Sequence, residues 1–172
     1  MHRASVDKLS HIRDVGGGAS TLVDHLLAEG FQHISVLDIS KTALHEAQER
    51  LGPQAKNVTW IEADVTQAAL SPASFDVRHD RAVFHFLTDA ESRRRYTDVL
   101  CHALRRDGYL IRTTFALDGP TRCSNLDVVR YSSEALLGEL GADFELVRSA
   151  RETHLTLSSS EQRFIYCGFR RR

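Results

Sequence analysis

Strands and helices alternate along most of this chain, and this alternation constrains its fold more than any other feature of the sequence. Short runs of apolar and β-branched residues predict five strands, at residues 12–15, 33–38, 58–62, 75–80 and 109–115. Helical patterns lie at residues 19–29, after a Ser40 cap, after a Thr88/Glu91 capping box, and from Ser132 to Leu140. This order predicts a parallel sheet with helices on both faces.

The end of the chain follows another pattern. Residues 144–149 and 163–169 are predicted as two strands joined by a polar loop without helical periodicity. Two neighbouring strands with no crossover helix form an antiparallel hairpin. We therefore expect one domain over residues 1–172. Its predicted fold is α/β and Rossmann-like: a doubly wound, mostly parallel seven-stranded sheet with a C-terminal antiparallel hairpin.

A glycine triplet marks the turn between the first strand and the first helix. The stretch DVGGG, residues 14–18, stands at this turn. Glycine permits a tight turn there and lets a ligand approach the backbone. A dinucleotide site of the G-x-G-x-x-G type would need a further glycine where Thr21 stands. The triplet alone is typical of a nucleotide cofactor site and also of an ordinary strand-to-helix turn.

Acidic residues follow four consecutive strands. Asp14, Asp38 and Asp80 come at the ends of the first, second and fourth strands, and Asp64 lies just beyond the third. The carboxyl ends of parallel strands meet at one edge of a sheet, so these acids should line that edge. Such an edge suits a cationic ligand that carries a ribose, an adenine and an amino group, and it suits a pyrophosphate poorly.

Six parts of the chain carry a family resemblance: DVGGG (14–18), LDIS (37–40), EADV (62–65), FDVRHDRAVFHFL (75–87), RRDGYL (105–110) and the terminal hairpin. In order and spacing they resemble the class I S-adenosylmethionine-dependent methyltransferases, over nearly everything from residue 12 onward. The resemblance implies S-adenosylmethionine as cofactor and methyl transfer as reaction. It also implies that Asp38 binds the ribose hydroxyls and that Asp64 reads the adenine amino group.

The resemblance extends to further positions. It implies that the glycine loop holds the methionine part and the ribose, and that His79-Asp80-Arg81 lies beside the sulfonium and the acceptor. The predicted cofactor-binding residues are Asp14, Gly16, Gly17, Gly18, Ser20, Asp38, Ile39, Asp64, Val65, Asp80 and Arg81. His85 and His79 are the predicted bases, because imidazole titrates near neutrality. The alternative for each histidine is a structural role.

The loop after the fifth strand, residues 118–131, faces the acceptor in proteins of this fold. The predicted acceptor residues are Arg122, Cys123, Arg130 and Tyr131 of this loop, and His154 after the sixth strand. This placing of a cysteine and a histidine is similar to the layout of tellurite-resistance methyltransferases, which favours a small acceptor such as a thiol or a metalloid. The alternatives are an ordinary surface loop and a protein-lysine acceptor. No histidine or cysteine spacing predicts a metal site.

Two features depart from the family pattern. About a dozen residues precede the first strand, where family members carry helices that cover the cofactor. We therefore expect the N-terminal lid to be short, missing or supplied by another subunit. In addition, Arg13, Arg78 and Arg112 fall within strands that should be central and apolar. Either they pair with Asp14, Asp80 or Asp107 near strand ends, or one sheet face is polar or covered by a partner chain, as in a homodimer.

Composition narrows the class of function. A formal net charge of −1 gives no reason to expect a nucleic acid or an anionic membrane as partner. Three dispersed cysteines and no long apolar run predict a cytoplasmic protein. We expect an enzyme, a transferase acting on a small molecule. A non-catalytic relative of the fold and a nicotinamide-dependent oxidoreductase are the alternatives, and the missing third glycine counts against the second.

Overall fold

The fold rests on one seven-stranded sheet with four α-helices, seen in a computed structural model that describes residues 6–155 and 161–172. The first five residues of the N-terminal segment and the centre of the predicted polar loop therefore lie outside the described residues. The strands are β1 (His11–Val15), β2 (His33–Asp38), β3 (Val58–Glu62), β4 (Phe75–Arg81), β5 (Leu104–Phe115), β6 (Arg122–Cys123), β7 (Leu126–Asp127), β8 (Phe144–Leu155) and β9 (Glu161–Arg171). The helices are α1 (Leu22–Ala28), α2 (Lys41–Leu51), α3 (Ala90–Ala103) and α4 (Ser133–Leu140).

The sheet order is β3-β2-β1-β4-β5-β9-β8. The first five strands in this order run parallel, and β9 pairs antiparallel with both β5 and β8. The chain runs outward from β1 through β2 to β3, and then crosses back to β4 on the other side of β1. This reversal of strand order is the switch point at which such sheets bind ligands. The predicted fold class is confirmed.

Two apolar clusters lie on opposite faces of the sheet, because side chains alternate along each strand. The larger cluster packs α3 and α4 against β4, β5 and β9 through residues such as Tyr96, Leu100, Leu136 and Phe169. The smaller cluster packs α1 and α2 against β2 and β3, with Val23 and Val36 fully buried. Helices on both faces were predicted from the alternating pattern.

Two arginines lie fully buried beneath α3. The guanidinium carbon of Arg78 is 4.3 Å from the ring centre of Tyr96, and that of Arg112 is 3.8 Å from the ring centre of Phe84. Arg112 Nε also lies 3.8 Å from Asp80 Oδ2. Neither sequence-based interpretation fits Arg78, because this side chain lies within the core under aromatic rings rather than at a strand end or on an uncovered face.

The third arginine, Arg13, lies on β1, on the other side of β4 from the Arg112 strand. Its Nε donates a hydrogen bond to Ser35 Oγ at 3.0 Å, and its guanidinium carbon lies 5.0 Å from the ring centre of Phe75. Burial, together with the nearby positive charge of Arg78, lowers the pKa of Arg13 to about 10. The predicted pairing with Asp14 is wrong, because neighbouring residues of a strand point to opposite faces.

Several element boundaries differ from the sequence-based prediction. Helix α1 begins at Leu22 rather than residue 19, because the turn after the glycine triplet continues to Thr21. The Thr88/Glu91 capping box is wrong: Asp89 is the N-cap of α3, and its carboxylate accepts from Ser92 N at 2.8 Å. Strands β5, β8 and β9 are longer than predicted, and the small β6–β7 hairpin was missed. Among the described residues, every helix is too short or too polar to cross a lipid bilayer.

Candidate functional site

The glycine loop after β1 has backbone geometry that only glycine tolerates. Gly16 has φ +70°, and its N–H donates to Leu37 O at 2.8 Å. A Cβ at Gly16 would lie 2.1 Å from Val83 Cγ2, and one at Gly17 would lie 2.3 Å from Asp14 Oδ2. The loop therefore packs its backbone directly on the turn after β4 and on β1, where side chains have no room.

The carboxylate of Asp38 forms hydrogen bonds both to this loop and to the N-cap residue of α2. Its Oδ2 accepts a hydrogen bond from Gly18 N at 3.0 Å, and its Oδ1 accepts from Ser40 N at 2.8 Å. The next residue, Ile39, is 72% exposed, an unusual position for an isoleucine beside an open cavity. The carboxylate thus has a fixed orientation, next to an apolar side chain that a ligand can cover.

Asp64 is held in a similar way beyond β3. Its Oδ1 accepts from both the N–H and the hydroxyl of Thr66 at 2.8 Å, and Gln67 Nε2 donates to Oδ2 at 3.1 Å. These hydrogen bonds, the one from the Thr66 backbone first, lower the pKa of Asp64 below its ordinary value. Asp64 is therefore ionised at neutral pH and keeps a defined orientation.

These residues surround a cavity of about 410 Å³ at the carboxyl ends of β1, β2 and β4. Six predicted cofactor residues line it: Gly16, Asp38, Ile39, Asp64, Val65 and Arg81. The other lining residues are Val15, Leu37, Ala63, Ala82, Val83, Phe86 and Leu87. Phe86 was open in sequence between a wall of the cofactor site and the core, whereas Ala82, Val83 and Leu87 were missed, although the apolar run directly after β4 was a usable signal. We call this space the cofactor cavity.

Five predicted cofactor residues do not line the cofactor cavity: Asp14, Gly17, Gly18, Ser20 and Asp80. Asp80 is fully buried and turned toward α3, where Tyr96 Oη donates to its Oδ2 at 2.5 Å. Its Oδ1 accepts from Val83 N at 3.0 Å. Asp80 therefore anchors the turn after β4, in which Ala82 has φ +59°.

His79 forms a pair with Asp14 beneath the glycine loop. Its Nδ1 lies 2.8 Å from Asp14 Oδ1, and the two side chains are 19% and 1% exposed. Within the described residues, Asp14 Oδ2 has no hydrogen-bond partner. A carboxylate at this distance from Nδ1 fixes the orientation of the imidazole ring.

His85, the other predicted base, is fully enclosed. Its ring contacts Phe86 and Phe115, with ring centres 4.6 and 5.0 Å away. Burial lowers the pKa of His85 to about 4, although the charge of Asp80 acts in the opposite direction. The ring is therefore neutral at pH 7.

A second cavity, of about 490 Å³, lies beyond the turn that follows β4. Its lining residues are Ala116, Leu117, Asp118, Tyr131, Ser132, Ser133, Arg151 and Ile165. Tyr131 contacts Phe84 with ring centres 5.6 Å apart, and burial raises the pKa of Tyr131 to about 12. We call this space the outer cavity.

Of the predicted acceptor residues, only Tyr131 lines the outer cavity. Arg122 and Cys123 lie on the β6–β7 hairpin, where Arg122 Nε is 3.2 Å from Asp127 Oδ1. Arg130 donates to Gly119 O at 3.2 Å, and His154 lies exposed on β8. The structure therefore does not gather the predicted acceptor residues into one site. Over the described ranges, no three histidine, cysteine or acidic side chains are placed to hold a metal ion.

Comparison with known proteins agrees with this geometry. The family described as "Methyltransferase domain" matches residues 12–108, which is more than half of the chain. The mouse eEF1A lysine and N-terminal methyltransferase is 32% identical over 78 residues, which cover 45% of this chain and 11% of that protein. The bovine protein of the same name is 32% identical over 80 residues, 46% of this chain and 11% of that protein. The chain thus matches about a tenth of the length of these relatives.

Solved structures share the fold over almost the whole chain. A methyltransferase from Methanosarcina mazei has a TM-score of 0.77 at 14% identity, with 96% of this chain and 94% of that chain covered. The 1,6-didemethyltoxoflavin-N1-methyltransferase of Burkholderia thailandensis, with bound 1,6-didemethyltoxoflavin and S-adenosylhomocysteine, has a TM-score of 0.74 at 20% identity, with 95% of this chain and 71% of that chain covered. The N-methyltransferase NodS of Bradyrhizobium japonicum has a TM-score of 0.74 at 18% identity, with 95% of this chain and 86% of that chain covered.

The sheet order, the glycine loop after β1 and the acid-lined cofactor cavity agree with the family match. The predicted family, enzyme class and cofactor are confirmed. This chain belongs to the methyltransferase domain family and is a class I S-adenosylmethionine-dependent methyltransferase.

Proposed function

We propose that this enzyme transfers a methyl group from S-adenosylmethionine to a small-molecule acceptor. The observation that carries the proposal is the pair of neighbouring cavities, of about 410 and 490 Å³. Each has the volume of a small-molecule site rather than of a macromolecular interface. The turn at Phe84–Phe86 links them, since Phe86 lines the cofactor cavity while Phe84 contacts Tyr131 of the outer cavity.

The residues present fit the cofactor. Asp38 and Asp64 offer oriented carboxylates for the ribose hydroxyls and the adenine amino group, and Ile39 and Val65 offer apolar contacts. The free carboxylate oxygen of Asp14 lies under the bare backbone at Gly17, where a Cβ would collide with it. The cofactor supplies a methyl group on a sulfonium sulfur, and the protein supplies alignment and exclusion of water.

Of the two predicted bases, the contacts favour His79 for an acceptor that arrives protonated. Its ring is partly exposed and Asp14 fixes its orientation, although His79 lines neither the cofactor cavity nor the outer cavity. His85 is enclosed by aromatic rings and has a depressed pKa, so it is a weak base without access to solvent. We expect His79→Gln to lower kcat about tenfold or more while cofactor affinity persists. An unchanged kcat in this variant would contradict the role.

The outer cavity is our candidate acceptor site. Asp118 and Arg151 form an ion pair at its rim, and Tyr131 closes its inner side. This lining offers one charge of each sign and one aromatic ring. The thiol or metalloid acceptor stays a prediction, because Cys123 and His154 do not line this cavity.

A protein-lysine acceptor is the second candidate, because the mouse and bovine relatives at 32% identity carry lysine methyltransferase in their names. A labelling experiment distinguishes the small-molecule acceptor from the protein-lysine acceptor. The enzyme is incubated with S-adenosylmethionine labelled in the methyl group, and with either a low-mass metabolite pool or a dialysed protein pool. We expect label in low-mass products. Label confined to the protein pool would contradict the small-molecule proposal.

A further inference from the structure

One edge of the sheet is long and open. Strand β8 pairs with β9 along one side, and no other described strand pairs with its second side. It has twelve residues, and every side chain from residue 147 to residue 155 is exposed. The opposite edge strand, β3, has only five residues. Natural sheets usually keep edge strands short or interrupted, because a free edge is a template for pairing with another strand.

The side chains of β8 alternate between the two faces of the sheet. Arg148, Ala150 and Glu152 share one face, since they pair in register with Gly168, Tyr166 and Phe164 of β9. From Arg148 to Leu155 the register is continuous, without a bulge. Neither Arg148 nor Glu152 forms an intramolecular ion pair in the described part of the chain. One basic and one acidic side chain therefore flank a small residue at equal spacing.

We propose that β8 pairs antiparallel with β8 of a second copy of this chain, with the two-fold axis at Ala150. Two antiparallel copies related by this axis place Arg148 directly opposite Glu152 of the partner subunit, and Glu152 opposite the partner's Arg148. Directly opposed side chains on one face have Cβ atoms about 4.5–5.5 Å apart, which is within reach of an ion pair. The pairing joins two seven-stranded sheets into one.

The charged side chains of β8 favour this register over pairings with the two-fold axis at another residue. An axis at Arg148 would oppose two arginines, and an axis at Glu152 would oppose two glutamates, which is unfavourable. An axis at Ser149 would place Arg148 opposite the partner's Ala150, and an axis at Arg151 would place Glu152 opposite the partner's Ala150, so neither axis forms the Arg148–Glu152 ion pairs. On the other face of β8, Arg151 is already paired with Asp118, so its charge is neutralised within each subunit. The methyl group of Ala150 leaves room at the axis.

The pairing also changes a third cavity. This cavity, of about 450 Å³, lies on the sheet face beside β8 and includes Ile111, Ala150, Glu152 and Tyr166 in its lining. Ile111 is 41% exposed at its floor. In the proposed dimer, Arg148 of the partner subunit lies next to Glu152 and forms a wall of this cavity. A strand pair of this size buries little area, so we expect a weak, concentration-dependent dimer.

The test is a charge exchange followed by sedimentation equilibrium over a range of protein concentrations. We expect Arg148→Glu and Glu152→Arg each to raise the dimer Kd about tenfold or more, because each creates two like-charged pairs. The double variant, Arg148→Glu with Glu152→Arg, restores opposite pairs and should recover the parent Kd. Glu46→Arg on exposed α2 makes the same change in net charge as Glu152→Arg and should leave the parent Kd unaltered.

Circular dichroism of each variant shows that it is folded. A monomer at every concentration, with all variants folded, would overturn the proposal. A dimer whose Kd is the same in both single variants, or that the double variant fails to recover, would also overturn it. None of these outcomes depends on the methyl acceptor, so the test is independent of the proposed function.

Discussion

Burial of His85 makes a single side chain responsible for part of the pH dependence of stability. Its pKa is lowered from 6.5 to about 4 in the folded protein. In the unfolded chain the imidazole takes up a proton near pH 6.5, whereas the folded protein takes it up only near pH 4. Between these values the unfolded state binds more protons, so stability falls as the pH decreases through this range.

We expect the free energy of unfolding to drop by about 2 kcal/mol between pH 7 and pH 5 on account of His85 alone. Urea denaturation at the two pH values measures this, and His85→Leu should remove most of the difference. His102→Leu, on the exposed side of α3, is the control and should keep it. An identical pH dependence in His85→Leu and the parent would show that His85 is not the responsible group.

The two fully buried arginines should respond oppositely to replacement. Among the described residues, Arg78 lies against the ring of Tyr96 without an ion pair, whereas Arg112 Nε lies 3.8 Å from the buried Asp80 Oδ2. Removing a buried charge without an ionic partner recovers its desolvation cost, but removing the partner of another charge leaves that charge uncompensated. Methionine has a similar length and packs well against aromatic rings.

We therefore expect Arg78→Met to raise the free energy of unfolding by about 1–3 kcal/mol and Arg112→Met to lower it by about 3 kcal/mol. Chemical denaturation of the two variants beside the parent measures both changes. If Arg112→Met is the more stable of the two, the assigned role of Arg112 is wrong.

Helix α3 has Asp89 as its N-cap residue, where the sequence predicted Thr88. Asp89 accepts a hydrogen bond from Ser92 N, while Thr88 lies before the N-cap residue and makes no cap hydrogen bond. Asp89→Ala should lower the melting temperature by about 2–4 °C, since it removes an N-cap. Thr88→Ala, the matched control, should change it little. Differential scanning calorimetry gives both values, and the reverse order would restore the capping box predicted from sequence.

The strand positions were predictable because each strand carries its own apolar pattern. The ends of several elements were not, because contacts distant in the chain determine them. Strand β5 continues back to Leu104, through Asp107 with φ +64°, because Leu104 pairs with Phe75 of β4. The β6–β7 hairpin turns at Ser124 and Asn125, both with positive φ. An asparagine in such a two-residue turn was the one local signal for it.

At the level of the whole molecule, the order of strands and helices predicted where the acidic residues lie but not which way their side chains point. The doubly wound topology brings the ends of β1, β2 and β4 to one edge, so the location of the cofactor cavity was predictable. Alternation along β4 turns Asp80 toward Tyr96, a residue 16 positions away, and this contact has no local pattern. The packing of aromatic rings over Arg78 and Arg112 is likewise a tertiary feature, so the sequence alone suggested ion pairs, a polar face or a face covered by a partner chain.

The cofactor cavity is the centre of this account, and calorimetric titration with S-adenosylmethionine and S-adenosylhomocysteine tests it most directly. We predict binding of both and none of NAD. Asp38→Ala should weaken binding about tenfold to a hundredfold, because hydrogen bonds to a charged group are lost. Glu62→Ala, which removes a carboxylate outside the cavity, should bind like the parent. Binding of NAD in preference, or equal affinity in Asp38→Ala and the parent, would contradict the assignment of this cavity.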